Sequence, residues 1–115
     1  MSRSYTPRRQ SRRWLDGDCP REVLALYDDP RFADRYTVIY ADLLDGPSGP
    51  YLWGRGMSGA PSHPQGIGMS FEQSAGAIAA YRYRERNRAC RWSSLPEPVK
   101  ACIRQDVALI RSEAA

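Results

Sequence analysis

The sequence has few of the residues on which catalytic and metal sites depend. It contains one histidine, His63, and one lysine, Lys100, in 115 residues. Its three cysteines, Cys19, Cys90 and Cys102, are an odd number without C-x-x-C spacing, which argues against a disulfide framework and against a zinc site. We therefore expect buried free thiols and neither a metal nor a cofactor.

Long apolar runs are also missing. No stretch approaches the roughly 20 consecutive apolar residues of a membrane span, and no apolar segment follows the N-terminal arginines as in a signal peptide. The 42% hydrophobic and 26% charged residues are typical of a globular chain, and 115 residues suffice for one domain. We expect a cytoplasmic protein with no membrane partner, in which a flexible arginine-rich arm, residues 1–14, precedes a single domain, residues 15–115.

Positive charge is concentrated at the two ends of the chain. Residues 1–15 carry five arginines and no acid, residues 16–80 carry nine acids and four arginines, and residues 81–115 carry eight bases and four acids. Arginines interleaved with tyrosines, as in residues 81–88, suit contacts with phosphates and bases. Two other interpretations stay open: the sixteen arginines reflect a GC-rich genome, or the acidic middle pairs with the basic ends. If residues 81–91 are extended, their alternating arginines project from one face as a basic strip.

Three segments have the composition of strands. The run of β-branched and aromatic residues in Arg35–Ala41 predicts a strand, and turn-forming residues separate it from a second strand, Tyr51–Met57. A hairpin is the simplest connection between the two. Arg88–Trp92 is expected to form a third short strand, with Cys90 and Trp92 inward.

Three segments have helical patterns. A short N-terminal helix is predicted from Cys19 to Tyr27, because Asp18 offers an N-cap oxygen before it and Pro30 ends it. A capping-box pattern at residues 70–73 predicts a helix over Gln73–Tyr81, and a second box at residues 94–97 opens a C-terminal helix, Leu95–Arg111. The apolar face of this last helix is Leu95, Val99, Cys102, Ile103, Val107 and Ile110. The predicted fold is therefore α+β, with about three antiparallel strands packed by the C-terminal helix.

A stretch rich in glycine and proline, residues 54–68, contains the only histidine. Gly54-x-Gly56-x-x-Gly59 matches the dinucleotide-binding fingerprint in form, but Pro61 and Pro64 prevent the helix that this fingerprint requires. Histidine side chains ordinarily titrate near neutral pH, and an amide such as that of Gln65 both donates and accepts hydrogen bonds. The candidate binding residues of this loop are Arg55, Ser58, His63 and Gln65.

Four sequence elements together resemble a family of small uncharacterised proteins of bacteria, phages and plasmids. They are Asp34-Arg-Tyr-Thr-Val-Ile-Tyr40, Gly56-Met-Ser58, Pro61-Ser-His-Pro-Gln-Gly66 and Trp92-x-x-Leu-Pro96. The resemblance covers residues 18–112 and implies a small accessory protein. The family has no assigned activity, so the resemblance implies no catalytic residue.

Three functions from different classes agree with these patterns. The first is a non-enzymatic accessory protein that binds and modulates a protein or nucleoprotein partner, such as an inhibitor of a host defence complex. The second is a direct DNA- or RNA-binding protein, and the third is an enzyme dependent on His63. The candidate basic and aromatic binding residues are Arg8, Arg9, Arg12, Arg13, Arg82, Tyr83, Arg84, Arg86 and Arg88.

Overall fold

Four strands and two helices make up the α+β fold in the computed structural model, which describes residues 7–46, 49–58 and 69–114. The elements are β1 Val23–Asp28, β2 Tyr36–Gly46, β3 Gly49–Met57, β4 Met69–Ser74, α1 Ala75–Arg84 and α2 Glu97–Ala114, with single turns of 3-10 helix at Arg86–Arg88 and Trp92–Ser94. The strands form one antiparallel sheet in the order β1-β2-β3-β4. The α+β prediction is confirmed, but the sheet has four strands instead of about three. None of the helices in the described ranges is long and apolar enough to span a bilayer.

The predicted hairpin is confirmed as β2 and β3. Val38 pairs with Arg55, and Gly46 pairs with Gly49 at the turn, whose residues 47–48 lie outside the described part of the chain. Because side chains alternate along a strand, Val38 and Tyr40 face one side of the sheet and Ile39 faces the other. This alternation separates the core into two layers.

Each face of the sheet is covered by one helix. The apolar face of α2 packs on the side of Val38 and Tyr40, as its sequence pattern predicted, and Ile103 in its centre is fully buried. On the opposite side, Ile78 of α1 packs on Ile39 and Leu52. The protein is thus a three-layer structure with the sheet in the middle.

The predicted N-terminal helix, Cys19–Tyr27, is wrong, because this segment forms β1. All five residues from Val23 to Tyr27 are buried, and they are divided between the two core layers. A strand covered on both faces has a continuous apolar run, which periodicity alone does not distinguish from a short buried helix. Helix α1 covers the face of the sheet opposite α2, and its packing removes the alternation of buried and exposed residues that usually identifies a strand.

The predicted third strand, Arg88–Trp92, is also wrong. Within this segment one isolated bridge, between Tyr27 and Ala89, meets the edge of β1, and the N–H of Cys90 donates to the Leu26 carbonyl at 3.1 Å. Turns of 3-10 helix on both sides carry the chain away from the sheet. Besides β1, the other strand that was not predicted is β4, which has mostly exposed side chains and so lacks an apolar pattern in the sequence.

The two predicted later helices are confirmed with shifted limits. The first begins at Ala75, not Gln73, because the hydroxyl of Ser74 accepts a hydrogen bond from the Ala77 N–H at 3.2 Å. The second, α2, begins at Glu97 and ends at Ala114.

The N-terminal segment lies along the outer edge of β1. The Gln10 N–H donates to the Leu24 carbonyl at 2.9 Å, and the Gln10 side-chain carbonyl accepts from the Leu26 N–H at 3.1 Å. Leu15, a few residues later, is 4% exposed and belongs to the core. A flexible arm over residues 1–14 stays a prediction, since residues 1–6 lie outside the described ranges.

Candidate functional site

The arginines divide into those that pair with carboxylates and those that do not. Of the fifteen in the described ranges, eight lie within 4.0 Å of an acid: Arg31, Arg35, Arg55, Arg84, Arg88, Arg91, Arg104 and Arg111. The acidic middle of the chain thus neutralises part of the basic ends. In the same ranges, seven arginines form no such pair: Arg8, Arg9, Arg12, Arg13, Arg21, Arg82 and Arg86.

Four of these seven arginines converge on one surface cavity of about 590 Å³, which we call the basic groove. The N-terminal segment forms one wall, and the end of α1 with the following 3-10 turn forms the other. The lining residues are Arg8, Arg9, Gln10, Ser11, Trp14, Tyr27, Arg82, Tyr83, Arg86 and Ala89. No carboxylate lies among these described lining residues, so the groove favours an anionic ligand.

Local contacts hold the arginines of the helical wall. Arg86 donates through Nη1 to the Tyr83 carbonyl at 2.6 Å, and its guanidinium lies 4.2 Å from the centre of the Tyr83 ring. Arg82 lies near the Tyr27 hydroxyl, where burial raises the pKa of the phenol and the arginine opposes that rise. The wall therefore presents two oriented cations around a tyrosine.

The N-terminal wall is fixed by backbone contacts with β1. The Arg9 guanidinium donates through Nε to the Val23 carbonyl and through Nη2 to the Pro20 carbonyl, both at 2.9 Å. Trp14 packs against the core beside the groove, with the Arg13 guanidinium 4.9 Å from its ring centre. These contacts place Arg9 at the start of β1.

A second cavity, of about 250 Å³, lies on the other side of Arg9. It is lined by Arg9, Arg12, Leu15, Asp16, Gly17, Cys19 and Arg21. Asp16 is its one described carboxylate, and Ser93 engages it through its N–H at 2.9 Å and its hydroxyl at 2.6 Å. These bonds hold the pKa of Asp16 below its usual value. Six of the seven arginines without an ion pair line one of the two cavities.

The structure divides the alternating arginines of residues 82–88 into two pairs. The condition for a basic strip, an extended chain over residues 81–91, is not met, because α1 ends at Arg84 and a 3-10 turn follows. Arg82 and Arg86 line the basic groove, whereas Arg84 lies 3.4 Å from Glu85 and Arg88 lies 3.9 Å from an oxygen of Asp29. Of the other predicted residues, Tyr83, Arg8 and Arg9 line the groove, Arg12 lines the second cavity, and Arg13 stacks on Trp14.

Two of the four predicted loop residues, Arg55 and Ser58, lie in the described part of the chain. Arg55 points to α2, where its guanidinium binds both oxygens of Asp106 at 2.8 and 3.0 Å. Ser58 is 4% exposed at the end of β3. His63 and Gln65 lie outside the described residues, so their binding role stays a prediction.

The sequence interpretation missed Asp106, which is 6% exposed on the inner side of α2. It accepts a hydrogen bond from the Tyr40 hydroxyl at 2.6 Å, and burial together with this carboxylate raises the Tyr40 pKa strongly. A signal was present in the sequence. Asp106 is three residues after Ile103 and four before Ile110, which places it on the apolar face of the helix.

The cysteines offer little nucleophilic character. Burial raises the pKa of Cys19 to about 11 and that of Cys90 to about 12, and Cys102 is 2% exposed. The three lie free of disulfides. Within the described ranges, no three histidine, cysteine or acidic side chains form a group that could hold a metal ion.

The chain has no detected relative among known proteins. No family model, curated protein or solved structure matches this chain. The resemblance to small phage and plasmid proteins therefore stays a prediction.

Proposed function

We propose that this protein is a non-enzymatic accessory protein that binds nucleic acid, free or within a nucleoprotein, through the basic groove. The observation that carries this proposal is the sorting of the arginines. Within the described ranges, those away from the cavities have carboxylate partners, except Arg13, whereas the arginines of the groove have none. Cations that a fold leaves unneutralised on one surface are available for phosphates.

The aromatic content of the groove supports nucleic acid over a simple anion. Tyr83 is 70% exposed, so its ring is accessible to a ligand. Trp14 and Tyr27 also line the groove. Tyr27 is 3% exposed, so the rings that a ligand can reach are those of Tyr83 and the half-buried Trp14. Arginines beside such rings suit a ligand with phosphates and flat bases.

The size of the groove is that of a ligand-binding cavity. Ligand cavities usually measure about 300–1,000 Å³, and the groove of about 590 Å³ lies within that range. The absence of histidine, cysteine and carboxylate among its described lining residues favours binding over catalysis. Modulation of a host defence complex and a His63-dependent reaction stay predictions that the groove does not support.

The chain supplies a matched pair of variants for the test. Arg82→Gln/Arg86→Gln removes two arginines that line the groove, and Arg84→Gln/Arg88→Gln removes two that face acids in the same seven residues. Both doubles lose the same charge. We expect the first to weaken binding of fluorescein-labelled DNA or RNA by at least about tenfold and the second by less than about threefold. Thermal unfolding of both variants checks that the fold is intact.

Salt dependence gives a second readout by fluorescence polarisation. If four to six phosphates of a single strand are neutralised, the log-log slope of affinity against salt is about −2.8 to −4.2. No binding to any nucleic acid at low salt would overturn the proposal. Equal losses in the two double variants, or binding of polyglutamate in preference to nucleic acid, would also overturn it and would favour a protein partner.

A further inference from the structure

The two arginine-lined cavities share one residue. Arg9 lines both the basic groove and the second cavity, and hydrogen bonds to the Val23 and Pro20 carbonyls fix its guanidinium at the start of β1. On the far side of Arg9, Arg12 and Arg21 are exposed and form no ion pair with a carboxylate of the described residues. Positive charge thus continues from one cavity into the next.

We propose that the basic groove and the second cavity form one track for single-stranded nucleic acid, with Arg9 at the junction. This inference rests on the proposed function and specifies its ligand as a chain of several nucleotides. A mononucleotide or a single phosphate would occupy one cavity and leave the arginines of the other unused. A polymer of phosphates uses both.

The exposed ring of Tyr83 selects the single strand over the duplex. The Arg86 guanidinium lies over this ring at 4.2 Å, and with 70% of the residue exposed the ring is accessible to a ligand. In a duplex the faces of the bases are stacked on one another and only their edges are accessible. A single strand can turn a base onto the ring, and such stacking is tolerant of sequence.

The one described carboxylate of the track does not oppose a phosphate strongly. Asp16 lines the second cavity, but Ser93 donates two hydrogen bonds to it and Arg91 lies 3.9 Å from its Oδ2. Three arginines surround the same cavity, so the balance of charge there stays positive. The track therefore attracts polyanions along its whole length.

A length series of labelled oligothymidylates tests the track on the full-length protein. We expect affinity to rise between four and twelve nucleotides, and Arg12→Gln/Arg21→Gln to remove this rise while leaving the four-nucleotide affinity within about twofold of the parent. Arg104→Gln/Arg111→Gln is the charge-matched control, because these arginines pair with Asp18, Glu97 and Glu22 away from both cavities. This control is expected to preserve the rise.

Substitutions of Tyr83 test the stacked base. Tyr83→Ala is expected to weaken single-strand binding by about 5- to 150-fold, and Tyr83→Phe, which keeps the ring, by no more than about twofold. We expect a duplex of equal length to compete only weakly with the labelled single strand for the protein.

The outcomes separate this inference from the proposed function. Binding of single strand and duplex with equal affinity, unchanged by Tyr83→Ala, would overturn the track and leave nucleic-acid binding in place. Equal affinity for thymidine monophosphate and the twelve-nucleotide strand would also overturn the track. No binding to any of these ligands would overturn both proposals.

Discussion

Arg55 of β3 and Asp106 of α2, 51 residues apart in sequence, form an ion pair through two hydrogen bonds of 2.8 and 3.0 Å. The Tyr40 hydroxyl donates to the same carboxylate at 2.6 Å. The Asp106 side chain is 7% exposed, and that of Arg55 is 24% exposed. The pair therefore ties the C-terminal helix to the centre of the sheet through partly desolvated charges.

Replacing Asp106 by alanine is expected to lower the free energy of unfolding by about 3 kcal/mol. The loss comes from a guanidinium and a hydroxyl left without a partner on the inner side of α2. Urea unfolding followed by circular dichroism measures it. Tyr40→Phe is the graded control, because it removes one hydrogen bond and keeps the ion pair, at a cost of about 1–2 kcal/mol. Equal stability of the Asp106→Ala variant and the parent would contradict this role of the pair.

Two glycines are expected to respond to alanine with opposite signs. A Cβ at Gly54 would meet the Val38 carbonyl oxygen and would lie 2.7 Å from the Phe71 ring, so Gly54→Ala should destabilise by about 1–3 kcal/mol. At Gly76, inside α1, an added Cβ meets nothing within 4 Å. Gly76→Ala should therefore stabilise by about 0.5–1 kcal/mol through helix propensity. Chemical denaturation of the two variants side by side checks the signs. Destabilisation by Gly76→Ala would contradict the open space around this position.

The sequence was most informative where one pattern had one physical cause. The C-terminal helix was predicted correctly because its apolar residues repeat at helical spacing and so lie on one face. The β2–β3 hairpin was predicted correctly because strand-forming residues flank a cluster of turn-forming residues. β1 was mistaken for a helix because burial on both faces removes the alternation that identifies a strand. That burial depends on α1, which packs from a distant part of the chain.

The candidate site was predictable in composition but not in geometry. The two arginine blocks were visible in the sequence, yet which arginines stay without a carboxylate depends on tertiary contacts such as those of Arg88 with Asp29 and of Arg91 with Asp16. The groove exists because Gln10 docks on β1 while Ala89 bridges to the same edge. No local pattern encodes that meeting of two distant segments.

The thiols are expected to react slowly in the folded protein. With the pKa of Cys19 at about 11 and that of Cys90 at about 12, their thiolate fractions at pH 8 are on the order of 10⁻³ and 10⁻⁴. Cys102 is 2% exposed.

Reaction of the folded protein with Ellman's reagent at pH 8 should be at least about 100-fold slower than that of a free thiol. In urea all three thiols should react fast. Cys19→Ser should remove the fastest of the slow reactions, since Cys19 is half-buried and lies at the surface of the second cavity. A thiol that reacts at the free rate in the native state would instead support cysteine chemistry.

Acid is expected to destabilise the fold through carboxylates that are bonded to cations and N–H groups. The Arg31 guanidinium lowers the pKa of Asp29 from 3.8 to about 2. Because the folded state holds this proton less tightly than the unfolded state, the stabilisation is present above pH 3.8 and is lost as the pH falls towards 2.

Asp29→Asn should therefore flatten the fall of the unfolding free energy between pH 3.8 and 2, whereas Glu72→Gln, on exposed β4, should leave that fall unchanged. Urea titrations at half-unit pH steps measure the slope. An unchanged slope in Asp29→Asn would mean that the bonds from Arg31 to Asp29, at 2.9 and 2.7 Å, do not persist in solution.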